Sequence, residues 1–362
     1  MKNLYCIIMA GGVGTRFWPM SKTAKPKQFL DILGTGETLL QATYHRFLKV
    51  CKPSHIYVVT SDQYLDLVQE QLKSIPKENI LTEPARKNTA PCVAYASYKI
   101  QKKNPNAVTV VAPSDHLILK EDTFLKAVKS CYKKAETEDC LLTIGIKPTR
   151  PDTGYGYIQF VESPAKETDK RIKKVKTFTE KPNADMAKFF MESGDFLWNA
   201  GIFIWSLKSI TKAIEQHEPE LAGLFRDDNN VYGTKDEKAF IQNAYISCKN
   251  ISIDYAVMEK AKNVFVRSSI IGWSDLGTWG SLYDKIKHDK RSNAIVGKNV
   301  MLYDSNNCIV QMPKEKLVVI QGLEDYIVAE SDGILLICKK SDEQQIRNFV
   351  NDVKVQKGEK FV

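Results

Sequence analysis

The sequence predicts an α/β protein: a Rossmann-like, mostly parallel mixed sheet flanked by helices, followed by a small C-terminal β module that ends in a helix. Three observations predict it. From residue 4 to about 147, apolar β-type runs alternate with helical patterns, the order that a parallel sheet covered by helices on both faces requires. The first run, Leu4 to Ala10, breaks into Gly11-Gly12-Val13-Gly14, and sheets of this kind gather ligands at the carboxyl ends of their strands. Beyond residue 293, short β runs punctuated by Asn, Asp, Gly and Pro take over, a pattern of small β modules.

Taken in order, strands are expected at 4–10, 55–60, 107–112 and 140–146, and helices at 38–50, 62–73, 89–103 and 121–138. Residues 150–290 continue the same domain with more irregular strands at 154–160, 172–179 and 199–206. Gly11, Ser61-Asp62 and Ser114-Asp115 fall just past strand ends, so polar groups are expected together at one rim. The charged, turn-prone stretch from Asp284 to Asn293 marks a boundary, giving domains over 1–288 and 289–362. In the second, β runs are expected near 294–296, 300–303, 307–311, 316–320, 325–329 and 334–338, then a helix at 342–353. No internal repeat is visible.

Composition narrows the function. A net charge of +9 suits a protein that handles anions. Its lysine pairs, such as Lys102-Lys103 and Lys133-Lys134, are scattered and form no aromatic-interleaved basic stripe, so no nucleic-acid partner is expected. Eight cysteines without a Cys-x-x-Cys pair, several inside apolar runs, read as reduced thiols of a cytoplasmic protein. The first apolar run is too short to span a membrane and lacks a small-residue cleavage site, so neither a membrane partner nor a secretion signal is expected. The five histidines show no zinc-ligand spacing.

The glycine-rich stretch carries the chemistry. Gly11, Gly12 and Gly14 allow backbone N–H groups to approach an anion closely, and Arg16 and Lys27 bring two cations to the same place. Two common phosphate loops are excluded, because Phe17 stands where a dinucleotide fingerprint needs glycine and no Gly-Lys-Ser/Thr closes a P-loop. A third kind of nucleotide site is required.

Gly11-Gly-Val-Gly-Thr-Arg-Phe-Trp-Pro-Met-Ser21 followed by Pro26-Lys-Gln-Phe-Leu30 resembles the signature of the sugar-nucleotide pyrophosphorylases, specifically the mannose-1-phosphate guanylyltransferases. Further matches are Glu83-Pro-Ala-Arg-Lys-Asn-Thr-Ala-Pro91, Pro113-Ser-Asp-His116, Gly154-Tyr-Gly-Tyr-Ile158, Glu180-Lys-Pro182, Trp198-Asn-Ala-Gly-Ile-Phe203, Ile253-Asp-Tyr-Ala-Val-Met-Glu259 and Trp273-Ser-Asp-Leu-Gly-Thr-Trp279. Lys22, Ser114 and Arg86-Lys87 depart from the usual pattern while keeping charge or small size. The resemblance implies the nucleotidyltransferase fold and transfer of GMP from GTP to α-D-mannose 1-phosphate, giving GDP-mannose and pyrophosphate. The alternatives are a thymidylyl- or uridylyltransferase acting on another hexose 1-phosphate, and a non-catalytic sugar-nucleotide-binding regulatory subunit.

By the same resemblance Arg16 and Lys27 are the catalytic residues, while Gly11, Gly12, Gly14, Thr15, Asn88 and Thr89 bind the nucleotide. Gly156, Glu180, Lys181 and Asn199 would bind the sugar phosphate, and Asp115 and Asp275 would hold Mg²⁺. Asp254 belongs either to the sugar site or to a turn, and Phe17, Trp18 and Phe29 are expected to stiffen the glycine loop by packing. Longer relatives carry a further phosphomannose isomerase domain; with 362 residues no isomerase activity is expected. Pairing of two C-terminal β modules would make a homodimer.

Overall fold

The computed structural model describes residues 1–162 and 168–362. Its contacts group into two compact units: Met1–Gly11, Tyr44–Ser114 and Ile118–Trp273 in the first; Gly12–Thr43, Asp115–Leu117 and Ser274–Val362 in the second.

Among the described residues, the first unit is built on nine strands: β1 Leu4–Met9, β2 Ile56–Ser61, β3 Ile80–Glu83, β4 Val108–Pro113, β5 Leu141–Ile146, β6 Tyr157–Val161, β7 Ile172–Thr179, β8 Phe196–Ser206 and β9 Val264–Ser268. They form one sheet in the order β3-β2-β1-β4-β8-β5-β9-β7-β6. The β3-β2-β1-β4 half is parallel, as alternation with helices predicts, and Cys6 of β1 sits level with both Ile56 and Val110. Strand β8 runs antiparallel to both β4 and β5, which makes the sheet mixed.

Ladder bonds continue past the strand ends, from Ala10 N to Val59 O at 2.7 Å and from Ser114 N to Met9 O at 2.9 Å. Gly11 and Ser114 therefore leave the sheet at the same rim. The core joins sheet residues Ile7, Val59, Val111 and Ile158 to helix residues such as Tyr98, Ile214 and Tyr245.

Some expected elements shift for local reasons. The strand expected at 154–160 begins only at Tyr157, because the Asp152 carboxylate accepts from Gly154 N at 2.9 Å and closes a turn there. The helix expected at 62–73 is a 3-10 turn over Asp62–Tyr64 followed by a helix over Leu65–Gln71.

In the second unit the C-terminal strands are β10 Ala294–Val296, β11 Val300–Tyr303, β12 Ile309–Gln311, β13 Val318–Gln321, β14 Tyr326–Ser331 and β15 Ile334–Lys339. Alternate strands stack in parallel: β10 on β12 on β14, and β11 on β13. The chain therefore does repeat here, as successive coils that place Ala294, Ile309 and Ile327 in one column and Leu302 beside Ile320 in another. The sequence hides this because only small-to-medium apolar size recurs. At the corners, Asp304, Asn307 and Asp325 take φ of 45°, 54° and 61°, the left-handed region that Asn and Asp tolerate better than other non-glycine residues.

Phe17, Trp18 and Phe29 are buried, and Phe17 and Trp18 share a cluster with Trp279, Ile309, Ile327 and Ile346. The Phe17 and Trp279 rings lie 5.2 Å apart. The final helix covers Ile346–Lys357, four residues later than expected at each end, because Lys340–Gln345 form a 3-10 turn. All eight cysteines are buried. Among the described residues no helix is long and apolar enough to cross a membrane.

Candidate active site

In the second unit a cleft of about 280 Å³ is lined by Gly14, Thr15, Arg16, Phe17, Lys27, Asp115, His116, Asp275, Leu276, Gly277 and Arg347. Gly14 has φ 63°, and a Cβ there would stand 2.6 Å from the Lys27 Cβ, so only glycine lets the loop and Lys27 approach this closely. Ser21 Oγ donates to Gly14 O, and Gln28 Nε2 donates to Gly12 O at 2.8 Å, which fixes the loop from behind.

Lys27 is 4% exposed. Its ammonium meets Asp115 Oδ2 at 2.8 Å and donates to Asp275 O at 2.8 Å and Leu276 O at 3.0 Å. An ammonium has three donors, and all three are engaged. Leu276 sits at φ 45°, and the carbonyls on either side of this bend both accept from Lys27. Holding a leucine there costs about 1–3 kcal/mol, which the buried ammonium repays by satisfying both carbonyls.

Asp115 is half-buried. Burial alone would raise its pKa, but the Lys27 charge, then His116, hold the carboxyl below its ordinary value. Asp275 Oδ1 accepts from Gly277 N at 3.0 Å, and Arg16 Nη1 donates to Gly277 O at 3.2 Å. The two proposed metal carboxylates and the two proposed catalytic cations thus line one cleft. Arg347, from the final helix, joins them; the Arg16 charge, then burial, lower its pKa.

The first unit gathers the residues expected to face the sugar. Asn199 lies on β8, and its N–H donates to Gly156 O at 2.8 Å. Its side-chain oxygen accepts from Thr143 Oγ1 at 2.9 Å and from Gly201 N at 3.1 Å, while Nδ2 donates to Asp254 Oδ1 at 2.9 Å. The amide is therefore oriented from both ends. A Cβ on Gly156 would collide with Glu180 Oε2, so this glycine gives Glu180 its place. Lys181, at φ 47°, pairs with Glu180 Oε1 at 3.0 Å and is otherwise exposed. Burial, then the Glu180 charge, push the Asp254 carboxyl up to about 7. Asp254 thus stands beside Asn199 and Glu180, at the start of the helical segment Asp254–Met258 rather than in a turn.

Gly11 also belongs to the first unit, where its Cα faces Glu83 at the end of β3: a Cβ would stand 3.2 Å from Glu83 Oε2. Tyr245 donates to Glu83 Oε1 at 2.6 Å, and burial pushes this carboxyl up to about 7. Asn88 and Thr89 open the helix Thr89–Lys103; Asn88 Oδ1 accepts from Thr89 N at 2.9 Å and Thr89 Oγ1 accepts from Ile253 N at 2.9 Å. Asn88 is exposed.

Residues 5–292 match the nucleotidyl transferase family, and residues 297–353 match the MannoseP isomerase/GMP-like beta-helix domain. The chain belongs to the nucleotidyl transferase family. It is 34% identical over 349 residues to a mannose-1-phosphate guanylyltransferase of Escherichia coli, covering 95% of this chain and 74% of that protein. The mannose-1-phosphate guanylyltransferase of Escherichia coli strain K12 is 34% identical over 359 residues, covering 97% and 74%. A solved structure of a mannose-1-phosphate geranyltransferase from Thermus thermophilus superposes with a TM-score of 0.87 at 26% identity, covering 97% of this chain and 99% of that one.

In this nucleotidyl transferase, reading the sequence overlooked Thr143, Tyr245 and Arg347 and gave Glu83 no role. Glu83 could have been found: an acid closing a short apolar run, Ile80-Leu81-Thr82, is placed at the ligand rim of a parallel sheet. Arg347 carried no signal, since a lone arginine on a helix is ordinarily a solvated surface cation.

Proposed function

We infer that this chain transfers GMP from GTP to α-D-mannose 1-phosphate, giving GDP-mannose and pyrophosphate. The observation that carries it is the 34% identity to a mannose-1-phosphate guanylyltransferase over 95% of the chain. The chemistry agrees. A phosphate monoester with a second pKa of about 6 is largely dianionic at neutral pH, so the nucleophile needs no general base. The site has instead to hold an in-line geometry at the α-phosphorus and absorb the charge of two anionic reactants.

Arg16 and Lys27 are assigned to the polyphosphate. Lys27 reaches it by exchanging one of its carbonyl acceptors for a phosphate oxygen, while its ion pair with Asp115 is kept. Gly11, Gly12, Gly14, Thr15, Asn88 and Thr89 bind the nucleotide, while Gly156, Glu180, Lys181 and Asn199 take the hexose and its phosphate. Glu83 joins the base set: its carboxylate beside Gly11 matches the N1 and N2 donors of guanine, which adenine and the pyrimidines do not present in that pairing.

Members of the family generally use a divalent metal, and Asp115 and Asp275 fit Mg²⁺. They supply two hard oxygen donors to one cleft, and Mg²⁺ takes one or two carboxylates and completes its shell with substrate phosphates and water. Among the described residues no cluster of three or more acidic, histidine or cysteine ligands competes with them. Bound there, Mg²⁺ would offset the repulsion between sugar phosphate and triphosphate. We further take the protein to be a cytoplasmic homodimer whose domains divide near residue 288; size-exclusion chromatography with light scattering tests the dimer.

The test is pyrophosphate release with Mg²⁺, mannose 1-phosphate or glucose 1-phosphate, and each of GTP, ATP, UTP and dTTP. Release with GTP and mannose 1-phosphate alone is the expected result. Faster turnover with another pair would replace the substrates, and no turnover with any pair would sink the enzyme reading.

A further inference from the structure

Three cations line the cleft of the second unit, and they are not equally committed. Lys27 has all its donors engaged, and Arg16 spends one on Gly277 O. Among the described residues, Arg347 makes no ion pair and donates no hydrogen bond, although it stands within the field of Arg16. Two guanidinium groups held near each other without an acidic partner repel, and an anion between them removes that cost.

The backbone that carries Arg347 is fixed on three sides. Its neighbour Ile346 is fully buried against the cluster of Phe17, Trp18 and Trp279. Glu343 Oε2, one turn earlier, accepts from Gly280 N at 2.8 Å, and Trp18 Nε1 donates to Phe361 O at 2.8 Å beyond the end of the helix. The glycine loop and the final helix are thereby tied together, and Arg347 is the exposed side chain that this attachment aims into the cleft.

We propose that Arg347 is a further polyphosphate-binding residue, lent by the C-terminal helix to the cleft of Arg16 and Lys27, and that it grips the pyrophosphate end of the nucleotide. Pyrophosphate is the assignment because it carries most of the charge, and because a fork with all five donors available can bind two phosphate oxygens at once. This rests on the guanylyltransferase reading above. It also gives the C-terminal module a part in binding substrate.

Steady-state kinetics in both directions test it, together with calorimetric titration of Mg²⁺-pyrophosphate into wild type, Arg347→Ala and Arg347→Lys. In Arg347→Ala the KM values for GTP and, in reverse, for pyrophosphate should rise about tenfold, as loss of one charge-assisted pair implies, with the KM for mannose 1-phosphate within about twofold. Arg347→Lys, which keeps the charge and loses the fork, should fall between them. Unchanged GTP and pyrophosphate values in a wild type that turns over would overturn the proposal alone, as would a change confined to mannose 1-phosphate. If wild type turns over no pair yet Arg347→Ala weakens pyrophosphate binding, the reaction reading falls and the anion site stands. If that binding is also unchanged, both fall.

Discussion

Beside Lys27 the Asp115 carboxyl is held below its ordinary value, whereas around Asn199 a carboxyl is pushed to about 7. Both regions bury charge next to a residue that the substrate is proposed to touch, and both fix that residue by hydrogen bonds to all its polar atoms but one or none. The difference lies in what neutralises the burial. In the second unit a lysine lies 2.8 Å from Asp115, so the pair is charged and internally compensated. In the first, Asp254 faces Glu180 and a neutral amide, so desolvation dominates. The cation-lined cleft is ready for phosphate because its cations outnumber the acids paired to them. The cluster around Asn199, proposed to meet the hexose, offers acceptors, among them a carboxyl raised to about 7, which suits hydroxyl donors.

The comparison predicts different losses. Lys27→Ala or Asp275→Ala removes a fixed charge from the cleft proposed to take the charge that accumulates during reaction, and turnover should fall by roughly 10²-fold or more, with circular dichroism showing an intact fold. Near-normal turnover in both variants would remove the basis for assigning charge stabilisation to that cleft. Glu180→Gln and Asn199→Ala should act on recognition instead, raising the KM for mannose 1-phosphate about tenfold. The KM for GTP should stay within about twofold in these variants. A comparable rise for GTP would show that the two regions do not divide the substrates as proposed.

Why the first of these regions could be read from sequence more easily is a matter of range. Gly11 to Arg16 and Lys27 announce themselves because glycines and cations cluster within one short stretch after an apolar run. The strands β1, β2, β4 and β5 were likewise legible, being continuous apolar runs bounded by turn residues. Strand β3 escaped because four residues, Ile80 to Glu83, are too few to show a period. The helices Ala184–Ser193 and Glu237–Ser247 also escaped: they bury only a few side chains, Ala187 and Phe190 in one and Ile241, Ala244 and Tyr245 in the other, so their apolar stripe is thin.

What no local reading could supply is the engagement of Lys27 by carbonyls 248 and 249 positions away, or the fixing of the Asn199 amide by Thr143 and Asp254. Those depend on tertiary closure. Resemblance named the residues, whereas their charge states and donor balances come from geometry.

A smaller effect is expected at Glu83. Replacing it by Gln keeps the hydrogen bond to Tyr245 while exchanging one acceptor for a donor, so a base that offers two donors is no longer matched. The preference for GTP over ATP, measured as the ratio of kcat/KM values, should fall about tenfold, since mismatched buried polar groups are what enforce such discrimination. An unchanged ratio would remove Glu83 from the base set and leave selection to the Gly11 and Asn88 backbone.

The smallest effect separates the two regions by the sign of their pH dependence. Asp254 is raised from an ordinary value of 3.8 to about 7, so the folded chain holds a proton there that the unfolded chain has already released. Its contribution to stability is fully present below about pH 4 and is lost as pH rises through about 7. Asp115, held below its ordinary value, contributes in the opposite sense: its stabilisation is present above about pH 4 and is lost as pH falls further. Asp254→Asn keeps an acceptor for Asn199 Nδ2 and cannot ionise, so its melting temperature should exceed that of wild type at pH 8 by more than at pH 5. Asp115→Asn should be less stable than wild type at pH 7 and approach it under acid conditions. Parallel slopes in the two variants would mean that burial, and not the presence or absence of a lysine partner, governs both carboxylates.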